Sequence, residues 1–423
     1  MLSDEILEKV SERLVNRIEK VNEFILKTIG NNLDEIGKLG YTEAYKVAQI
    51  MKYGGDYNKI VKKLAEITNL NEKDIRKIFN EVSKSEYEFA KQFYDYNKVK
   101  YIPYNENVAL KSQVTAISRI TERNIKQMMN PNVLGYGMID KTTGKVTFKG
   151  LKQAYYDLID TAVLSVSQGK ETFDEALARQ IKEIGSGGLK VIYDSTYVNK
   201  KGKVVNRTRR VDSAIRMNMK DGLRTLHNEI QEQFGKEFGS NGVEISVHSN
   251  PAPDHDEMQG RQFSNEEFEK LQSDGVAIDY TGKEIDIHRE LKDGSTTLDF
   301  RPVSQYNCYH YTFSIVLGVS NPEYTEEQLQ QIIDDNNKGF ELDGKHYTNY
   351  EGTQMQRRLE TEIRKQKDIQ IMAKASGQDD TVAESQRKIS ELTKKYKELS
   401  SKAGLPTRMD RMKVSGYKRV KTS

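Results

Sequence analysis

The chain has 423 residues, a formal net charge of +3, 30% charged against 36% hydrophobic residues, no tryptophan and a single cysteine. That length is too great for one comfortable core and predicts two to four structural units, helix-rich and strongly solvated. No apolar run reaches the roughly 18 residues of a membrane span, and the start Met-Leu-Ser-Asp-Glu-Ile shows no leader pattern. Lone Cys308 excludes an intrachain disulfide framework. Synthesis in a reducing cytoplasm, with no membrane partner, is the expectation.

Residues 1–130 read as a helical N-terminal region. Ile6, Val10, Leu14, Ile18, Val21 and Ile25 recur at three- and four-residue spacing from a Ser3 cap, and Gly30-Asn31-Asn32 is the expected stop. Short helices are expected over Thr42–Lys52, Tyr57–Ile67, Asn71–Val82 and Ser83–Tyr96, then over Val108–Met129 beyond the break at Pro103. Asn130-Pro131 marks the first boundary.

Residues 131–240 are expected to mix helices with short hairpins. Tyr136–Lys149 alternates around Thr142-Thr143-Gly144 as a two-stranded hairpin, and Gly150–Gln168 returns to helix. Thr172-Phe-Asp-Glu175 is a capping box, with Gly185 placed as a left-handed terminus. Val191–Tyr193 and Val204-Val205 flank a turn near Asn199–Gly202 and feed a helix over Val211–Phe234. Lys200–Arg224 holds nine basic and two acidic residues, among them Arg207, Arg209 and Arg210. Such a stretch suits either a solvated helix face or contact with phosphates.

Residues 241–347 change character to an α+β module with Pro-rich loops: four of the seven prolines lie between Pro251 and Pro322. Capping boxes at Ser264-Asn-Glu-Glu267 and Thr325-Glu-Glu-Gln328 open short helices. Residues 348–423 are helical again, with a break at Gly377–Asp380 and a stripe of Val382, Ile389, Leu392, Tyr396 and Leu399 that suits pairing with another helix of this chain or a neighbour. Residues 351–423 carry eighteen Lys/Arg against ten Asp/Glu, and Arg408, Arg411, Lys413, Lys418, Arg419 and Lys421 form a basic, flexible end. With Arg207, Arg209 and Arg210, the residues Arg408, Arg411, Lys413, Lys418 and Arg419 are the candidates for DNA contact. The fold class is thus mainly α with a smaller α+β module.

Four of the six histidines, His248, His255, His288 and His310, share a 63-residue window with Cys308. A tetrahedral zinc site needs four N or S donors from rigid pieces of chain, and His248, His255, Cys308 and His310 could supply a structural one. The spacing matches no familiar finger, and histidines orienting the backbone of a Pro-rich loop are the plainer alternative. Two catalytic alternatives stand beside it. Cys308 and His310 point the same way on a strand as a thiol nucleophile and base would, but no third group or oxyanion motif accompanies them. Asp254, Asp256 and Glu257, with Glu290 and Lys292 downstream, offer the carboxylates of a Mg²⁺-dependent nuclease, a short and degenerate pattern.

A family enters through ordered residues. Val243-Glu-Ile-Ser-Val-His248, then Pro253-Asp-His255, Gln259-Gly260 and Phe263-Ser264, resemble the stretch of phage minor capsid proteins where a strand ending in His precedes Arg-Pro-x-His, Trp-Gln-Gly and an aromatic-Ser pair. Asn307-Cys308-Tyr309-His310 is similar to its Asn-Cys-Arg-His, and Ala214-Ile215-Arg216 fits as well. Gly344-Lys-His-Tyr347 through Gln356-Arg357, with Glu360, Ile363-Arg364 and Lys367, looks like its carboxy-terminal signature. The resemblance is to the second type of phage minor capsid protein, related to the head morphogenesis proteins that bind the portal. It implies a structural, non-enzymatic head component of a tailed phage or prophage, at or near the portal on the inner side. Portal or major capsid subunits are the implied partners, assembly, packaging or ejection the role, and packaged DNA a further contact. The alternatives are a head-carried nuclease or thiol-dependent enzyme and a non-specific DNA-binding head protein. Met258 stands where Trp is usual, Asn250 near the Arg position, and Tyr309 replaces the Arg between Cys and His. Retention of His248, His255, Cys308 and His310 without those neighbours favours a scaffold or metal role over a reaction.

Overall fold

The computed structural model describes residues 4–38, 43–139, 146–154, 156–157, 172–198, 204–290, 296–304 and 308–421. Helix α1 (Asp4–Lys38) buries Leu7, Leu14, Ile18, Val21, Ile25, Ile29 and Leu33 along one stripe. It runs straight through Gly30, the expected stop. A Cβ at Gly30 would lie 2.7 Å from the Met372 carbonyl oxygen and 2.8 Å from the Ala375 Cβ, so this glycine serves a close helix crossing and not a terminus. Helix α2 (Glu43–Asn97) is likewise one 55-residue helix, about 80 Å long at 1.5 Å per residue, where four short ones were expected. Asn71, read as a break, is buried and accepts a 3.4 Å hydrogen bond from Arg17 of α1, while Asp74 one turn on pairs with Arg13 and Arg17. Packing against α1 overrides the weak local preference of asparagine for turns. Asn107 then caps α3 (Val108–Met128), accepting from the Leu110 N–H at 3.0 Å.

Strands β1 (Leu134–Ile139), β2 (Val146–Gly150), β3 (Leu189–Val198) and β4 (Val204–Arg210) make an antiparallel sheet in the order β2-β1-β3-β4. Both expected hairpins are present, their turns and most of the helix expected over Gly150–Gln168 lying outside the described residues. Helix α4 (Phe173–Gly187) opens on the expected capping box of Thr172 and Glu175. It passes Gly185, which packs directly against Ile369, and ends at Gly188, whose φ is +61°. Strand β4 leads without a loop into α5 (Val211–Phe238).

The next segment forms the three-stranded sheet β11-β5-β6 from β5 (Gly242–Ile245), β6 (Gln262–Ser264) and β11 (Thr312–Ile315), with α6 (Asn265–Asp274) beside it. Small hairpins pair β7 (Val276–Ile278) with β8 (Glu284–Asp286), and β9 (His288–Glu290) with β10 (Thr296–Phe300). The Ser264 box is half formed: Ser264 caps Glu267, but the Glu267 carboxylate turns away to accept the Ile278 N–H at 2.7 Å. Helix α7 (Glu326–Lys338) has its full box. The hairpin of β12 (Phe340–Leu342) and β13 (Lys345–Tyr347) precedes α8 (Asn349–Ala375) and α9 (Asp379–Lys402), which pack on each other.

Ile245, Met258, Phe263, Leu271, Ala277, Ile285, Ile287 and Val303 form a separate core for the α+β segment. Met258 is wholly buried at its centre, so the position where the resembling family carries Trp is a packing position. The main core is shared by distant stretches: α1 packs on α2, α5 and α8, and Ile369, Met372, Val382 and Val414 join the same cluster as Leu14. A buried ionic knot ties these pieces. Arg210 reaches Asp368 at 2.9 Å and Asp212 at 3.2 Å, Arg364 pairs with Asp212, and Asn22 donates to Asp368 at 2.9 Å.

The tail is not the flexible end expected from its charge. Met412 is 1% exposed, Val414 is buried, the Lys367 ammonium donates to the Met412 carbonyl at 2.6 Å, and Tyr417 donates to Gln386 at 3.1 Å. Apolar residues at every second or third position anchor it between α1 and α8, a pattern that the lysines and arginines around them obscure.

Candidate metal centre

The pairing of β5 with β11 sets Ile245 opposite Thr312 and continues one step beyond the ladder. Ser246 N–H donates to the Tyr311 carbonyl at 2.9 Å, and Tyr311 N–H donates to Ser246 Oγ at 2.8 Å. This holds the incoming segment extended, so alternation turns Cys308 and His310 to one side and Tyr309 to the other. From across the gap a single 3₁₀ turn, Pro253–His255, delivers His255; proline's fixed φ suits the first position of such a turn.

Three donors meet here. Cys308 Sγ lies 3.3 Å from His255 Nδ1 and 3.3 Å from His310 Nδ1, with all three donor atoms within 4.8 Å of one another. His255 Nε2 lies 2.7 Å from the Arg301 carbonyl, which can only accept, so that nitrogen carries the proton and Nδ1 presents a lone pair to the sulfur. Gln259 does the same for His310. Its Oε1 accepts from the His248 N–H at 3.0 Å and faces His310 Nε2 at 3.4 Å, while its Nε2 donates to Asp256 at 3.4 Å. Two imidazole lone pairs therefore converge on one thiol, whose single proton can satisfy only one of them. A cation bound by all three resolves that conflict. The separations fit, since tetrahedral zinc with bonds of 2.0–2.3 Å has ligand-to-ligand edges of about 3.3–3.8 Å. Zinc held by Cys308, His255 and His310 would have three protein ligands and a fourth tetrahedral position that none of them fills. It would join the β5–β11 end to the Pro253 turn.

His248, the fourth expected donor, sits beside the group without entering it. Its ring is 5.1 Å from that of His310, and its Nε2 lies 3.0 Å from Ser246 Oγ. Burial pushes the Cys308 thiol up, against the His310 and Ser304 backbone amides that favour its ionised form. Burial, then His248 and His255, hold His310 well below the ordinary histidine range. His288, at the start of β9, is elsewhere, 2.6 Å from Asp286 at the end of β8.

Asp254 and Asp256, two carboxylates of the nuclease alternative, are engaged by other partners. Arg301 takes both oxygens of Asp254 at 2.9 and 2.6 Å, and Asp256 accepts from Gln259 and from Asn336 at 3.1 Å. Glu257 is exposed, near Lys283 at 3.8 Å, and Lys292 lies outside the described residues. Gln259, Asp254 and the Arg301 carbonyl are the orienting partners that residue spacing does not reveal.

The DNA-contact candidates divide. Arg408, Lys413, Lys418, Arg419 and Arg209 are exposed. Arg210 is buried in the ionic knot and Arg411 pairs with Glu8 at 10% side-chain exposure, so these two are turned inward by acidic partners that a local charge count misses. The side chain of Arg207 lies outside the described residues. No helix among the described residues is long and apolar enough to cross a membrane.

A family model described as phage minor capsid protein 2 matches residues 2–400. No curated protein and no solved structure matches the chain.

Proposed function

The chain belongs to the phage minor capsid protein 2 family, and we propose that it is a non-catalytic structural subunit of the head, seated beside the portal and serving head assembly or genome packaging. The match across nearly the whole chain carries this reading, because it spans the helical regions and the Cys/His segment together. The mainly helical build supports it. Exposed Leu70, Val108 and Ile120 on α2 and α3 offer apolar surface to portal or major capsid subunits.

The chemistry of the centre favours the absence of catalysis. A nucleophilic thiol needs an electropositive, accessible setting that lowers its pKa, whereas Cys308 is 2% exposed and its thiol is pushed up. The Asp254 carboxylate is already neutralised by Arg301, which leaves it poorly suited to hold Mg²⁺. Co-expression with the portal of the same phage is expected to give a complex that survives gel filtration. Incubation with supercoiled plasmid and Mg²⁺ is expected to leave the plasmid intact; cleavage abolished by Asp254→Ala would overturn the non-catalytic reading.

A further inference from the structure

Tyr309, turned away from the Cys/His group, forms part of the wall of a cavity of about 430 Å³ bounded by the β4–α5 junction, α8 and the C-terminal segment. Nine of its sixteen lining residues are lysine or arginine and one, Glu360, is acidic. The acids behind the wall are overcommitted. Glu8 alone faces Lys220 at 2.5 Å, Arg216 at 3.8 Å and Arg411, and Asp212 serves both Arg210 and Arg364. Lys190, Arg209 and Arg357 make no salt bridge among the described residues, although Asp221 lies close enough to Arg209 to be stabilised by it. Buried Nε atoms of Arg216, Arg364 and Arg411 make no hydrogen bond. Buried guanidinium donors without acceptors carry a desolvation cost, and the excess of cations along the wall leaves positive charge that a bound anion would offset.

We propose that this cavity is a binding site for a small, multiply charged phosphate anion, an inorganic polyphosphate or the phosphate chain of a nucleotide. Guanidinium forks match phosphate oxygens in geometry as well as charge, and several converge here. The volume falls in the roughly 300–1,000 Å³ range of small-molecule sites. It does not admit duplex DNA, whose major groove alone is about 12 Å wide. Arg209 and Arg357 hold the phosphate at the mouth; Arg216, Arg364 and Arg411 line the interior.

Calorimetric titration of the full-length protein with inorganic tripolyphosphate at low salt tests this. Saturable binding with one site per chain is expected, weakened roughly tenfold or more in Arg209→Ala/Arg357→Ala. Neither residue has an ion-pair partner whose loss would unfold the protein, so an unchanged melting temperature should accompany the loss. Lys413→Ala/Lys418→Ala, in the exposed tail, should bind as wild type. ATP should displace tripolyphosphate and a duplex oligonucleotide should not. Absence of saturable binding, equal affinity in the Arg209/Arg357 variant, or displacement by the duplex in preference to ATP would each overturn the assignment.

Discussion

The Nδ1 of His255 faces the Sγ of Cys308 at 3.3 Å, with the Arg301 carbonyl fixing the proton on the opposite ring nitrogen. If a metal completes this arrangement, purified protein will carry close to one zinc per chain, and Cys308→Ala/His310→Ala will carry none. Chelation should lower the melting temperature by on the order of 5–10 °C. Affinity should fall as the solution is acidified, because protons compete with the metal for the Cys308 sulfur and the imidazoles. Metal-free protein whose melting is indifferent to chelator would contradict the centre.

Gly30 and Gly55 give opposite expectations from one residue type. At Gly30 an added methyl meets Met372 and Ala375, whereas at Gly55 nothing lies within 4 Å. Gly30→Ala should cost about 2 kcal/mol or more through forced separation of α1 from α8. Gly55→Ala should stabilise by about 0.5–1 kcal/mol from lower unfolded-state entropy. Urea denaturation of both variants decides, and equal effects would refute the crossing.

Glu8 links stability to acid. Burial raises its pKa, but Lys220, Arg411 and Arg216 outweigh that and hold it down at about 2. A carboxylate depressed in the folded state contributes stability that is full above its unfolded value near 4.5 and is lost as pH falls towards 2. Glu8→Gln should therefore destabilise by about 1–3 kcal/mol at neutral pH and flatten the loss of stability between pH 4.5 and 2. Parallel melting curves for both proteins across that range would argue against the three-cation cluster.

The docked tail predicts a large effect from a small apolar change. Met412→Ala should cost about 2–4 kcal/mol, because Met412 is fully enclosed among side chains of α8 and α9. Hydrogen exchange should show slow amides around residues 412–417, and fast exchange throughout would restore the flexible end that charge alone suggests.

Elements with strong local signals were readable in the sequence: the stripe of α1, the capping boxes at Thr172 and Thr325, both hairpins and the long α5. The misreadings share one cause, tertiary contact overruling local preference. Gly30, Gly185 and Asn71 resemble terminators, yet each is small or polar because another helix lies against it. The stretch from Lys200 to Arg224 reads as a basic surface, but Asp368, Glu8 and Asp212 draw Arg210, Lys220 and Arg216 inward, two of those acids lying over 150 residues away. At the centre, clustering of donor types pointed to His255, Cys308 and His310. Spacing could not show that the His248 Nε2 is taken by Ser246, or that a glutamine and a carbonyl set the tautomers.

The placement of the chain in the head is tested most directly by cross-linking intact purified phage heads and identifying the linked peptides by mass spectrometry. Links between this chain and the portal, concentrated on the exposed faces of α2 and α3, are the expected result. Its absence from purified heads, or links confined to tail proteins, would contradict a portal-associated structural role.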